Sequence, residues 1–294
     1  MEFDALPWAI PLFVGLVAAE ALLEGRYKLT DTFANLGCGA LQQAGLALAG
    51  GTLAAGYSWV HAHALFQWPA GGLGFALALL GIDVIYYAWH RLSHRWRPLW
   101  AAHSVHHQSE QFNLSVGLRQ GFFADLTGWP FYALLALAGV PPEVFAVAKA
   151  VHMVWAFFSH AQSFPKLGPL EWVFVTPSHH RLHHARNAPY LDSNYGGILI
   201  VWDRLFGSFR TESEKPRYGV TPAFLSFDPV VAHFAPWLAP RKVWKLRAPS
   251  RPWVLAVGGA LAVGMALALG KIGMPIVGAS AVFLLVGATA RLAK

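Results

Sequence analysis

Between Asp83 and His107 the chain reads DVIYYAWHRLSHRWRPLWAAHSVHH, an apolar run that ends among five histidines, His90, His94, His103, His106 and His107. A second group, HHRLHH at residues 179–184, follows another apolar stretch. These two places hold nine of the fourteen histidines. On a helix, residues four apart share one face and residues three apart lie beside them. His90 and His94, His103 and His107, and His180 and His184 are each four apart, with His106 and His183 at the intermediate position. The spacing therefore predicts that each group presents two or three imidazoles to one point. Neutral imidazole is a ligand for iron, zinc, copper and nickel. Asp83 and Tyr87 precede His90 on the same face, so Asp83 is expected to accept the far N–H of a ligand histidine.

Hydrophobic residues make up 55% of the 294 and charged residues 13%, and mean hydropathy is +0.42. That balance belongs to a polytopic membrane protein rather than a soluble globule. The net charge of +7 would fit a nucleic-acid partner, but Lys and Arg collected in cytoplasmic loops explain it better, so no nucleic acid is expected. One cysteine, Cys38, lies in an apolar segment, which rules out an intrachain disulfide framework and predicts a buried structural thiol.

Apolar runs cover residues 7–23, 33–55, 70–89, 122–140, 144–158, 253–269 and 272–290. The first follows an acidic start, MEFDALPW, and reads as a retained span rather than a cleaved signal. Residues 57–69 lack Lys and Arg and contain Trp59 and Trp68, an aromatic belt at an outer interface. Arg26 and Lys28 follow the first run, and Arg91, Arg95 and Arg97 follow the third. The positive-inside rule then puts the N-terminus outside and the histidine groups and the C-terminus in the cytoplasm. Pro141 and Pro142 break the fourth and fifth runs into a hairpin that enters and leaves from the cytoplasmic side. The basic run RKVWKLR reads as an interfacial segment. The expected fold class is all-α, a polytopic integral membrane helical bundle with a cytoplasmic histidine-rich cap. Its parts are N-terminal transmembrane helices (1–69), a histidine-box core (70–210), an interfacial connector (211–251) and a C-terminal transmembrane hairpin (252–294).

HRLSH fits an HxxxH box, and HSVHH and the end of HHRLHH fit HxxHH. With NYGGILIVWDRLFGSF at residues 194–209 and FSHAQ around His160, residues 80–210 resemble the fatty acid hydroxylase and sterol desaturase superfamily. The resemblance implies a membrane-bound di-iron oxygenase that uses O2 and a separate electron donor on a lipid C–H bond, giving a hydroxyl or, by a second abstraction, a double bond. It implies two iron ions held by His90, His94, His103, His106, His107, His160, His180, His183 and His184. Residues 218–234, YGVTPAFLSFDPVVAHF, are similar to the segment that follows the core in alkylglycerol monooxygenases, which implies tetrahydrobiopterin as a cofactor.

Spacing alone admits zinc or manganese as readily as iron, and a membrane metal transporter or sensor remains the reading from another class. Asp83, Asn187, Asp203 and His179 are placed behind the ligands, His179 as either a ligand or a neighbour. His152, inside the hairpin, reads as a satisfied core histidine. His61, His63 and His233 read as interfacial. Arg91, Arg95 and Arg181 mark the inner face or hold a lipid head group.

Overall fold

The computed structural model describes residues 6–238 apart from 26, 222 and 223, with side chains from Leu12 onward. Ten helices and two short 3-10 turns make up this part, and no strand forms among the described residues. The predicted runs 253–269 and 272–290 and the basic run before them lie outside the described residues.

Helix α1 (Leu6–Glu24) is followed by α2 (Leu29–His61) and α3 (Gly71–Arg95). α3 passes straight through the first histidine box, because no breaker interrupts the sequence until Trp96, which is extended (φ −109°, ψ 119°). Pro98 then opens α4 (Arg97–His107), as proline does at a first helical turn. One extended residue thus folds α4 back onto α3, and the two boxes face each other. A single turn, α5 (Leu114–Gly117), leads into α6 (Ala124–Leu137) and α7 (Pro142–Phe158), joined through Gly139 at φ +105°. A side chain at Gly139 would strike the Phe66 carbonyl, so the turn needs glycine twice over. Ala78 and Ile82 of α3, Tyr132 and Leu135 of α6, and Ala148 of α7 close one core. Val17 of α1, Leu114 and Phe157 close another. Glu20 of α1 accepts from the backbone N–H groups of Leu114 (2.8 Å) and Gln162 (2.7 Å), which fixes the chain on both sides of the site described below.

The short α8 (Pro177–His183) begins at a capping box in which Thr176 and His179 exchange side-chain and backbone bonds. α9 (Val201–Leu205) and α10 (Pro229–Leu238) complete the described residues, and α10 packs on α2 and α4. Cys38 is fully buried against Val105 and Ala232.

Three expectations change. The second helix does not stop near residue 55 but continues to His61, because nothing after Gly56 breaks it. Tyr57, placed in an outer aromatic belt from sequence, is buried and stacks on Phe145 at 4.5 Å. His233, expected at an interface, is buried in α10 with its ring nitrogens against the carbonyls of Pro229 and Gln120. Among the described residues one helix, Gly71–Arg95, is long and apolar enough to cross a membrane, with mean hydropathy 1.6.

Candidate metal centre

The last two turns of α3 carry His90 and His94, α4 carries His103, His106 and His107, the turn after α7 carries His160, and α8 and its C-cap carry His180, His183 and His184. Their ligand nitrogens gather into two groups, each within 4.8 Å internally: His90, His94, His103, His107 and His183 in one, and His106, His160, His180 and His184 in the other. All are buried except His94, which is half-buried.

The division corrects the expectation that each HxxHH box converges on one point. The residues four apart stay together, and the residue three along goes to the other group. On a 3.6-residue helix i+3 and i+4 fall on opposite sides of i. α4 and α8 therefore each reach both groups, and the groups are held side by side by shared helices.

Ring orientation is set by backbone carbonyls. Nδ1 of His90 meets the Tyr195 carbonyl at 2.7 Å, His106 that of Arg119 at 2.9 Å, His160 that of Ala156 at 2.8 Å and His183 that of Ser193 at 2.8 Å. A carbonyl only accepts, so Nδ1 carries the hydrogen and Nε2 of the neutral ring is a bare lone pair. Yet Nε2 of His106 and Nε2 of His160 stand 3.2 Å apart. Two lone pairs at that distance repel unless a cation lies near both. The same close approach links His160 to His180 (3.0 Å), His90 to His103 (3.0 Å) and His107 to His183 (3.2 Å), and the buried Nε2 of His94 has no hydrogen-bond partner. The donor set is imidazole alone, and divalent transition-metal ions fit it.

Burial, reinforced for most rings by neighbouring imidazoles, pushes the rings on α4 and α8 and His160 below the ordinary imidazole range. His106 is held at about 4 and His183 at about 3, in both cases chiefly by burial. These rings are neutral and ready to ligate at neutral pH. In the unfolded chain they take protons near pH 6.5. Below that pH the unfolded state binds protons that the folded state refuses, so stability present above 6.5 is lost as pH falls toward 4. Metal-free protein is expected to lose thermal stability steeply between about pH 7 and pH 5, whereas ligated rings cannot titrate until the metal leaves. Unfolding scans with and without chelator check this; an apo profile that stays flat over that range contradicts it.

The residues expected behind the ligands divide. Asp203 is fully buried and accepts from the N–H groups of Tyr195 and Gly196, both at 2.8 Å, so it holds the loop whose carbonyl orients His90. Asp83 does not touch a cluster histidine. It accepts from Ile198 N (2.6 Å), Leu199 N (3.1 Å), Trp202 Nε1 (2.8 Å) and His152 (3.0 Å). Two helical turns separate it from His90, and the carbonyls do the orienting instead. His152 is thereby a satisfied core histidine. Asn187 ties Glu214 and Arg217 to the loop and reaches no ring of either group. His179 serves the capping box and belongs to neither group.

Sequence reasoning missed Ser193 and Tyr195, whose carbonyls anchor His183 and His90. The signal was the turn DSNYGG: Asp192 and Asn194 take positive φ (58° and 53°), which Asp and Asn tolerate, and so aim the alternate carbonyls of Ser193 and Tyr195 inward.

Residues 75–208 match the fatty acid hydroxylase family, a stretch that includes all nine histidines. This stretch is a fatty acid hydroxylase domain. It is 41% identical to alkylglycerol monooxygenase of Danio rerio over 229 residues, 75% of this chain and 51% of that protein. The human alkylglycerol monooxygenase is 36% identical over 240 residues, 79% of this chain and 54% of the relative. Ornithine lipid hydroxylase OlsE of Rhizobium tropici is 33% identical over 147 residues, 49% of this chain and 43% of its own length. The chain thus spans about half the length of these curated relatives. No solved structure matches.

Proposed function

We propose that this fatty acid hydroxylase domain forms a membrane-bound di-iron oxygenase that hydroxylates a lipid C–H bond, and that its substrate class is the ether lipids. The observation that carries the metal centre is the division of nine imidazoles, eight of them buried, into two groups built on shared helices. The ether-lipid reading rests on similarity to alkylglycerol monooxygenase over 229 residues, well beyond the family stretch of 75–208.

Iron, when bound, would supply the activation of oxygen. The protein's part is to hold nitrogen donors in place and keep water out. Trp89 packs on His103 (ring centroids 5.6 Å), Trp100 on His94 (5.0 Å), and Phe112 on His160 (5.8 Å) and His184 (5.5 Å), so aromatic rings form much of the wall. Tyr218 stacks on Phe112 at 5.4 Å, which brings the start of the segment likened to the pterin-dependent enzymes beside the four-histidine group. This supports tetrahydrobiopterin as the separate electron source. Each turnover consumes one O2 and two electrons, places one oxygen on the lipid and releases the other as water.

A polytopic bundle with its histidines at the cytoplasmic face suits this chemistry, because the lipid enters from the bilayer and electrons arrive from water. α3 provides a span of membrane length. Val147, Val151 and Val154 form an exposed apolar stripe along α7, as expected for a helix facing acyl chains. Iron-loaded protein in bilayers, given 1-O-hexadecylglycerol, air and tetrahydrobiopterin, is expected to consume the lipid with oxygen. Hydroxylation beside the ether oxygen yields a hemiacetal that separates into hexadecanal and glycerol. Absence of any oxidised product from this lipid, a fatty acid or a sterol contradicts the reading.

A further inference from the structure

Lys149 sits midway along α7, whose other polar side chains are Glu143 in the first turn and the buried His152, and it leans on α6. Its ammonium lies 2.5 Å from the Tyr132 hydroxyl, over the Tyr132 ring at 4.1 Å and 5.8 Å from the Tyr86 ring. An ammonium has three N–H donors, and the Tyr132 hydroxyl engages one. Among the described residues no carboxylate pairs with it; the buried ion pair nearby joins His152 to Asp83. Asp83 is committed to three further donors, and Asp125 of α6 is bonded to Gln42. Residues 239–294 contain no Asp or Glu. Asp125 still attracts the ammonium from beyond pairing distance, but a cation in an apolar helical hairpin with no carboxylate against it is costly, and such residues mark ligand sites. The side chain is only partly buried, which leaves it reachable by a third group. The Tyr86 ring that flanks it packs at 5.0 Å on His90 of the five-histidine group.

We propose that Lys149, walled by Tyr86 and Tyr132, binds the anionic head group, phosphate or carboxylate, of a single-chain lipid whose head-proximal carbons then lie beside the five-histidine group. This deepens the function proposed above and rests on it for the identity of the ligand as substrate. Binding rather than turnover is the test, so the two fail separately: a metal-loaded protein that binds as expected and oxidises nothing counts against the oxygenase alone.

The full-length protein, iron-loaded in bilayer discs of neutral lipid and phosphate-free buffer, is titrated with hexadecyl phosphate, palmitate, 1-O-hexadecylglycerol and hexadecylamine. Wild type is expected to bind at least one of the two anions tenfold or more tighter than the neutral ether and to bind the amine most weakly. Preference for hexadecyl phosphate alone identifies a phospholipid source, and equal preference for palmitate identifies any anionic head. Lys149→Met is expected to erase the preference at unchanged metal content, and Lys149→Arg to keep it. Equal wild-type affinity for all four lipids overturns the proposal without recourse to a variant. So does a folded Lys149→Met protein that still prefers the anions.

Discussion

Replacing His160 with alanine is expected to empty the four-histidine group, leaving one metal ion per protein molecule where wild type holds two, and to end lipid oxidation. His160 lies outside both HxxHH boxes, yet its Nε2 stands 3.2 Å from that of His106 and 3.0 Å from that of His180. It is the ring that joins the α4 and α8 contributions to that group. Removal leaves three donors and a void where the imidazole was. Loss of a partner that merely orients a ligand costs roughly 10- to 100-fold in metal affinity, and loss of the ligand itself should exceed that. Metal per molecule after desalting and oxygen-dependent lipid consumption are the readouts. His152→Gln is the control, because His152 is paired with Asp83 and belongs to neither group. It is expected to keep both ions. Two ions and full turnover in His160→Ala would remove His160 from the centre.

The second large effect is expected at Arg119, which has no exposed surface. Its guanidinium donates to the Val105 carbonyl (2.7 Å), Asn35 Oδ1 (3.1 Å), Gln108 Oε1 (2.9 Å) and the Ser226 carbonyl (3.2 Å). Its own carbonyl anchors His106. The charge is answered through Asn35, whose amide donates to Asp31 at 3.0 Å, while Ser109 donates to the same carboxylate at 2.7 Å. α2, the end of α4 and the approach to α10 are therefore tied at one planar cation. Methionine restores much of the volume but takes the guanidinium donor from Asn35 Oδ1, Gln108 Oε1 and the Ser226 carbonyl, leaves the Val105 carbonyl only the Gln108 N–H, and deprives Asp31 of its distant counter-charge. Arg119→Met should lower unfolding free energy by about 3–5 kcal/mol, the range for breaking a buried ionic network by removing one partner. Lysine should recover part of this, since it keeps the charge but not the fork. Denaturant titration in detergent measures it; a variant within about 0.5 kcal/mol of wild type contradicts the assignment, because that is the range of an ordinary surface change.

Much of the architecture could be read from the sequence because its signals are local. The third apolar run delivers the chain into HRLSH without a breaker, and α3 does the same in space. Pro141 and Pro142 mark the turn between α6 and α7 where proline must. The nine histidines are the nine that the structure gathers. Helical spacing did not reveal how they divide, because i, i+3 and i+4 look like one face until a second helix shows which side each ring turns. The carbonyl anchors were equally hidden. Any residue has a carbonyl, and only the path of the backbone through Ser193 and Tyr195 aims it. Asp83 misled for a related reason: a carboxylate on the right face satisfied whatever donors came within reach, and those were backbone N–H groups from residues 198 and 199. The Arg119 network joins positions more than eighty residues apart and leaves no periodic trace.

X-ray absorption at the iron edge, with metal quantified on the same sample, tests the centre most directly. The proposed di-iron centre predicts two irons per protein molecule, each surrounded by imidazole nitrogen with any remaining positions filled by oxygen and none by sulfur. A single ion, or a coordination shell without the imidazole signature, would contradict it.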